Sequence, residues 1–357
     1  MRHAWRAVGL LAAAFLCAAV PVCKIPVFRY ALERWPSSPY VALVFHRGPL
    51  DEASAKVLDG LRNSPANITF EKVDVDGSMD PTVRKVWETQ KSNPLPWVTV
   101  LLPSADETPV WAGKLEAEPL GVLVDSPARR EIVKRIMSAE SAVWLLIESG
   151  EKERDEAAAA MLSAELSRLE KTIELPVLGE DDPPLRSSLP LKLAFSVLRI
   201  SRTDPAERAF ADLLLRGYKG PPSAIVVPVV GRARAVWALA GEALKPESVA
   251  DLAEFVTGSC SCEVKELNPG FDLLVSADWD ALLELGAAPE EPPPLAIPAP
   301  VLPPPRPAPA AEPPPPARRE APPAEPSRTW MWIGLFGAAG FVLIAGLNLR
   351  SAFRRSP

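Results

Sequence analysis

Cys260 and Cys262, one residue apart in "GSCSCEV", are the side chains whose type and spacing most invite a chemical reading. Thiolates attack disulfides and bind soft metal ions. The chain has only two other cysteines, Cys17 and Cys23. In an extended segment Cys260 and Cys262 point to one face, with a Cα separation near or above the range of about 4.4–6.8 Å that a disulfide tolerates. A bond across Ser261 is then strained and easily reduced, and in a helix the two side chains diverge. Three readings stand. The pair is a structural disulfide or two buried thiols; or it bonds to Cys23 or to another chain; or it is an exchangeable disulfide or a two-thiolate site for a soft ion such as Cu(I).

Other constellations are weaker. His3 and His46 are the only histidines and cannot assemble a histidine metal site. Asp272, Asp278, Asp280 and Glu284 lack the spacing of a calcium loop and read as a solvated face. No Ser-His-Asp set and no phosphate loop stand out, so neither a metal nor a cofactor is expected. A net charge of −6 without a basic face gives no reason to expect a nucleic-acid partner.

Compartment decides what the thiols can do. "MRHAWRAVGLLAAAFLCAAVPVC" has a basic start with Arg2 and Arg6, an apolar run and then small residues, the layout of a secretory signal over residues 1–22. Cleavage fits after Ala19. In a competing reading Cys23 is a lipidated N-terminal residue, although Val20, Pro21 and Val22 match a lipoprotein box poorly; an uncleaved anchor is the third. Residues 330–349, "WMWIGLFGAAGFVLIAGLNL", supply the roughly 20 apolar residues that cross a hydrocarbon core. Trp330 and Trp332 mark one rim, and Arg350, Arg354 and Arg355 place the tail 350–357 on the cytoplasmic side. The expected arrangement is a single-pass protein of the cell membrane with most of the chain on the extracytoplasmic, periplasmic side. In that oxidising compartment two unbonded thiols are unusual. Between the folded part and the span, residues 289–329 contain 18 of the 42 prolines, too many fixed φ angles and missing donors for a packed core. They read as a disordered, proline-rich stalk.

Residues 39–288 must then supply the folded structure, preceded by a flap, residues 23–38, whose Phe28, Tyr30 and Trp35 are expected to pack on the first half, with a partner-binding strip as the alternative. "YVALVF" reads as a strand and is followed by a helix from about Asp51 with Ala55, Leu58 and Leu61 on one face. "ITFEKVDVD" alternates as a second strand, and "DPTVRKVWETQ" opens a helix with Asp80 as cap and Pro81 in its first turn. "LPWVTVLLP" and "VWAGKL" make an antiparallel pair, and "SPARREIVKRIMSAE" closes the half as a helix buried through Ile132, Val133 and Ile136. The second half repeats the order: strand "AVWLLIES"; a long helix with Met161, Leu162, Leu166 and Leu169 inward; strand "KLAFSVLRIS"; a helix opened by Asp204 and Glu207 as a capping box; "SAIVVPVV" with "RAVWALAG"; and helix "KPESVADLAEFVTG". A last short helix, capped by Ser276 and apolar at Trp279, Leu282 and Leu283, reads as a lid on the second core.

This order resembles the thioredoxin fold. In "HRGPL" Gly48 and Pro49 match the centre of the thioredoxin W-C-G-P-C motif, while Arg47 and Leu50 stand where its two cysteines would be. Pro96, in "NPLPWVTV", stands where the family carries a cis-proline; its alternative is a turn proline before an edge strand. Arg47 is either a cationic substitute at a helix N-terminus, unfavourable against the helix dipole, or simply solvent-exposed. The resemblance implies an α/β chain of two tandem thioredoxin-like domains, 39–140 and 141–288, each a central mixed sheet flanked by helices. It argues against the activity, because the motif positions carry no thiol. The segment "CKIPVFRYALERWPSSPY" is also similar to the opening of bacterial exported proteins, a likeness that carries no function.

The expectation is therefore a non-catalytic, membrane-tethered protein-interaction module whose partner is another envelope protein. A thiol-disulfide or Cu(I)-handling factor using Cys260 and Cys262 is the enzyme-class alternative. An accessory subunit of a membrane complex, assembled through "GAAG" in the span, is the third.

Overall fold

The opening of the chain is built differently from the expected flap. Val27–Arg34 form a helix, α1, that buries seven of its eight residues. Phe28 packs with Trp144, Leu146, Val226 and Val256 of the second half, and Leu32 joins the core on the opposite face of the same sheet. The sequence signal was an aromatic apolar face; which half it covers was decided by space. In the turn at Gly231, φ is +56° and a Cβ would lie 2.6 Å from that of Ala31, so only glycine lets α1 come this close. This computed structural model describes residues 23–103, 109–216, 218–260 and 264–285. The expected signal segment, stalk, span and tail, together with Cys262, lie outside the described residues. Among the described residues no helix is long and apolar enough to cross a membrane.

In the first half, β1 (Tyr40–His46) is an almost wholly apolar central strand. Helix α2 (Glu52–Arg62) follows, then β2 (Ile68–Asp74), α3 (Pro81–Gln90), β3 (Trp97–Leu101), β4 (Pro109–Lys114) and α4 (Ala117–Val124). The sheet order is β2-β1-β3-β4, with β1 parallel to β2, antiparallel to β3, and β3 antiparallel to β4. Leu58 of α2 and Leu120, Leu123 and Val124 of α4 pack with Tyr40, Ala42 and Val44 on one face; Val86 and Trp87 of α3 cover Leu43 and Phe45 on the other. Asp80 caps α3 by accepting the Thr82 amide hydrogen at 2.8 Å, as its Asp-Pro start implies.

The second half repeats these senses. It contains α5 (Pro127–Met137), β5 (Ala142–Ile147), α6 (Lys152–Thr172), β6 (Phe195–Ile200), α7 (Arg208–Leu214), β7 (Ile225–Val230), β8 (Arg234–Ala235), β9 (Leu239–Ala240), α8 (Pro246–Thr257), β10 (Phe271–Asp272) and α9 (Trp279–Leu282). Its sheet runs β10-β8-β7-β5-β6, with β9 also on β7; β5 is parallel to β6 and antiparallel to β7. The chain is thus α/β, with two mixed sheets flanked by helices, an arrangement consistent with two thioredoxin-like domains. Leu162, Leu166 and Leu169 of α6 are buried against β5, whereas Met161 is only half-buried.

Several local expectations yield to tertiary packing. Helix α5, read as the close of the first half, packs Ala128, Ile132 and Ile136 into the core of the second sheet, and α4 takes its place on the first. "RAVWALAG" is not one strand but two, β8 and β9, offset by one residue in their pairing with β7. Pro228 lies in β7 between the two pairings and has no N–H to give, so the ladder breaks there. Glu207 does not form a capping box with Asp204. Its carboxylate instead accepts from Ser126 Oγ and from the Ala128 amide, both at 2.7 Å, and so caps α5 from across the molecule. Helix α9 is capped by Asp278, which accepts the Ala281 amide hydrogen, rather than by Ser276.

The segment 271–283 joins the halves rather than merely closing the second. Leu273, Val275, Trp279 and Leu283 enter the second core and Leu274 the first, while Leu282 is exposed. Asn67 holds the segment by donating to Leu273 O and accepting from the Val275 amide. Arg129, 1 % exposed, donates to Leu274 O at 2.8 Å and lies 4.4 Å over the Phe210 ring. Burial lowers its pKa to about 10, which leaves it protonated at neutral pH.

Candidate functional site

A depression on the first sheet surrounds the vacant motif. A cleft of about 580 Å³ is lined by His46, Leu50, Trp87, Lys91, Leu95 and Pro96 among others. A second, of about 520 Å³, shares Asp51 and Pro94 to Pro96 with it and continues toward Val57 and Leu115. The two flank the Pro94–Pro96 segment, giving an open groove; the first is lined largely by polar groups, among them His46, Arg47, Asp51 and Lys91, and the second is the more apolar. The Leu95–Pro96 peptide bond is cis. Trp87 is held by the Phe45 ring at 5.2 Å, and Trp97 Nε1 donates to Gln90 Oε1 at 3.1 Å, so the groove wall is fixed from behind.

The motif residues sit at the end of β1. Gly48 has φ +62°, a conformation that glycine takes without strain, and its carbonyl lies 2.7 Å from His46 Nδ1. Arg47 is solvent-exposed and pairs with Asp76 at 2.9 Å, an exposed contact that contributes little. Leu50 precedes the helix and lines the first cleft. The N-terminus of α2 is taken by Asp51, whose carboxylate accepts from the Ser54 amide at 2.7 Å and from its hydroxyl at 3.0 Å. These bonds hold the Asp51 carboxyl below its ordinary range.

The second half repeats the solution. Asp155, in the first turn of α6, accepts from the Ser149 amide at 2.7 Å, the Ser149 hydroxyl at 2.8 Å and the Gly150 amide at 3.0 Å. Burial pushes its pKa up, but these donors outweigh it and the net shift is downward. In both halves a carboxylate near the start of the helix that follows the first strand engages local amides, but Asp51 caps α2 itself, whereas Asp155 binds amides of the turn before α6, whose N-cap Glu151 makes no side-chain cap bond. A helix N-terminus can activate a thiol by stabilising its thiolate; at α2 that position carries the Asp51 carboxylate instead. Asp155→Asn is expected to cost about 1–3 kcal/mol at neutral pH. Because the folded carboxyl titrates below its unfolded value, its contribution is present above the ordinary carboxylate range and is lost as pH falls through the lowered value. Urea unfolding at pH 7 and in strong acid should show the gap between wild type and variant closing in acid; an equal gap at both would refute the assignment.

Cys23 and Cys260 belong elsewhere, in a small apolar cluster with Ile25, Val27, Tyr30, Ala31 and Trp35. They are 8 % and 1 % exposed, and neither lines a described cleft. Among the described residues no three Cys, His, Asp or Glu side chains are grouped to hold a metal. Asp272 departs from the expected solvated face: it is 3 % exposed and binds Arg234 and Lys265. Asp280 pairs with Arg232. Glu33, which nothing in its immediate surroundings marks as functional, is fully buried and bonded to Arg29 at 2.7 Å. The i, i+4 spacing of those two residues on an otherwise apolar helix was the available clue.

No protein-family model matches the chain, and no curated protein matches it. Among solved structures, the first two thioredoxin domains of Saccharomyces cerevisiae Eps1p are 10% identical with a TM-score of 0.20, covering 66% of this chain and 98% of that one. The first two thioredoxin domains of Naumovozyma dairenensis Eps1p are 10% identical with a TM-score of 0.19, covering 69% and 99%. Such slight similarity carries no argument about function, and the fold rests on the strand order and senses described above.

Proposed function

We propose that the chain is a non-catalytic, membrane-tethered, extracytoplasmic interaction module whose groove beside Pro96 holds an extended segment of another envelope protein. The proline-rich residues 289–329 act as a stalk and the apolar residues 330–349 as the anchor. One observation carries the reading: a cleft of about 580 Å³, within the size range of ligand sites, lies where the thioredoxin resemblance puts sulfur chemistry, and it is lined by Leu50, Trp87 and Leu95 rather than thiols. Such a surface, with Arg47, Asp51 and Lys91 beside these apolar side chains and no cysteine in its lining, supports binding of a peptide of mixed polarity rather than disulfide exchange. The shallow, open form suits an extended segment better than a compact metabolite.

Photocrosslinking in membranes tests it with the full chain. A benzophenone amino acid at Leu50 or Trp87 should yield one discrete protein adduct that Leu95→Asp abolishes, and the same probe at Arg168 on α6 should not. Identical adducts from all three positions would refute the groove. A thiol function separates cleanly: if the full chain reduces a small-molecule disulfide catalytically and loses this with C260S/C262S, the non-catalytic reading fails.

A further inference from the structure

The two clefts beside Pro96 differ in charge. Arg47 and Lys91 line the first, against one carboxylate, that of Asp51. Both Asp51 oxygens are already occupied at the start of α2, one by the Ser54 amide and the other by the Ser54 hydroxyl. Arg47 and Lys91 have partners, Asp76 at 2.9 Å and Glu88 at 2.5 Å, but neither of those carboxylates lines the cleft. All four side chains are more than half exposed, and exposed pairs of this kind hold so weakly that a ligand carboxylate can take the place of either acid at little cost. The first cleft thus presents two exchangeable cations on a chain whose net charge is −6. The second carries no such excess: Val57, Leu115 and Ala117 give it apolar walls, and its Lys114 lies 3.8 Å from Glu116 of the same lining. Because the clefts share Pro94, Leu95 and Pro96, one extended segment crossing these residues lies over both.

We propose that the groove selects a peptide segment that is acidic at one end and aliphatic at the other. A Glu or Asp side chain pairs with Arg47 or Lys91 in the first cleft, and a Leu- or Val-type side chain a few residues away packs against Val57 and Leu115 in the second. This selection rests on the groove holding a peptide, as proposed above, and adds what that peptide carries. The acidic end replaces Asp76 or Glu88 as the partner of a lining cation, so it gains attraction without leaving a buried charge unpaired. A basic segment meets the same two cations and is repelled, which gives specificity at the encounter as well as in the bound state. The aliphatic end supplies the apolar burial that exposed ion pairs do not.

Fluorescence anisotropy tests this with the full chain in detergent and three labelled peptides of about ten residues. They share a pair of leucines and differ only at two positions, which carry Glu, Gln or Lys. The Glu peptide should bind about fivefold more tightly than the Gln peptide, and the Lys peptide most weakly. Raising the salt from about 50 to about 300 mM should remove most of that difference. R47E/K91E should reverse the ranking of the Glu and Lys peptides, a gain for the Lys peptide that misfolding cannot produce, whereas Val57→Ser should weaken all three alike. Equal binding of the three peptides, a preference for Lys, a ranking unmoved by R47E/K91E, or no binding by any of them would overturn the assignment. If the photoprobe at Leu50 or Trp87 still gives its single adduct in that case, the groove stands and only its charge selection falls; if the adduct is missing too, both fall.

Discussion

Asp272→Ala should destabilise the folded unit by about 3–5 kcal/mol, the range found when one partner of a buried ion pair is removed. Asp272 is 3 % exposed and serves two cations: Arg234 Nη1 at 3.0 Å and Lys265 Nζ. It also accepts the Ser38 amide hydrogen at 2.7 Å. Without the carboxylate both cations stay in place, since Lys265 still reaches Pro36 O and Ser38 Oγ and Arg234 still reaches three carbonyls of the 268–270 turn. They would then be buried without a counter-charge. Asp272→Asn keeps the shape and an acceptor and should lose roughly half as much. Denaturant unfolding followed by circular dichroism checks both variants. A loss below about 1 kcal/mol for the alanine variant would mean that water reaches these cations, contrary to the packing.

Glu33→Ala should cost a similar amount, about 3–5 kcal/mol, but with a different footprint. Glu33 accepts from Arg29 Nε at 2.7 Å, Arg34 Nη1 at 3.0 Å, and the Arg186 and Ser187 amides at 2.9 and 3.0 Å. Arg29, 1 % exposed, would keep only its bond to Ser187 O at 2.8 Å. The two amides would lose their acceptor as well. Because these contacts tie α1 to the loop after α6, amide exchange should rise first in residues 23–37 and 179–190. Uniform acceleration across both sheets would show instead that α1 unfolds only with the whole unit.

The two predictions concern residues that look ordinary in the sequence. Asp272 follows a Pro-Gly turn among other carboxylates, and nothing local distinguishes it from Asp278 or Asp280. Its partners come from 234 and 265, and the amide it accepts from position 38. Glu207 is similar: three residues after Asp204 it has the spacing of a local cap, yet it caps α5 about eighty residues away. Spacing reports which bonds a short segment can make alone. It does not report a stronger, buried donor set brought in by another helix.

The groove divides along the same line. Arg47, Gly48, Pro49 and Leu50 were legible because a strand running into Gly-Pro before a capped helix is a local pattern. Pro96 was legible because it stands just before an apolar strand. Their placement around one cleft, with Trp87 and Lys91 of α3 and its following turn as a wall, depends on β1 and β3 being neighbours.

The sequence alone determined most of the succession of strands and helices, with α1, α4 and the break between β8 and β9 as the exceptions, since side-chain periodicity and Asp-Pro or Ser-Pro starts act within a few residues of themselves. It also determined that the thioredoxin motif positions carry no thiol. Tertiary structure decided which sheet each amphipathic helix covers, which carboxylates are buried, and that Cys23 and Cys260 share a cluster. An apolar stripe fixes that a face will be hidden from water but not what hides it. A charge enters the interior only where distant residues supply its partners.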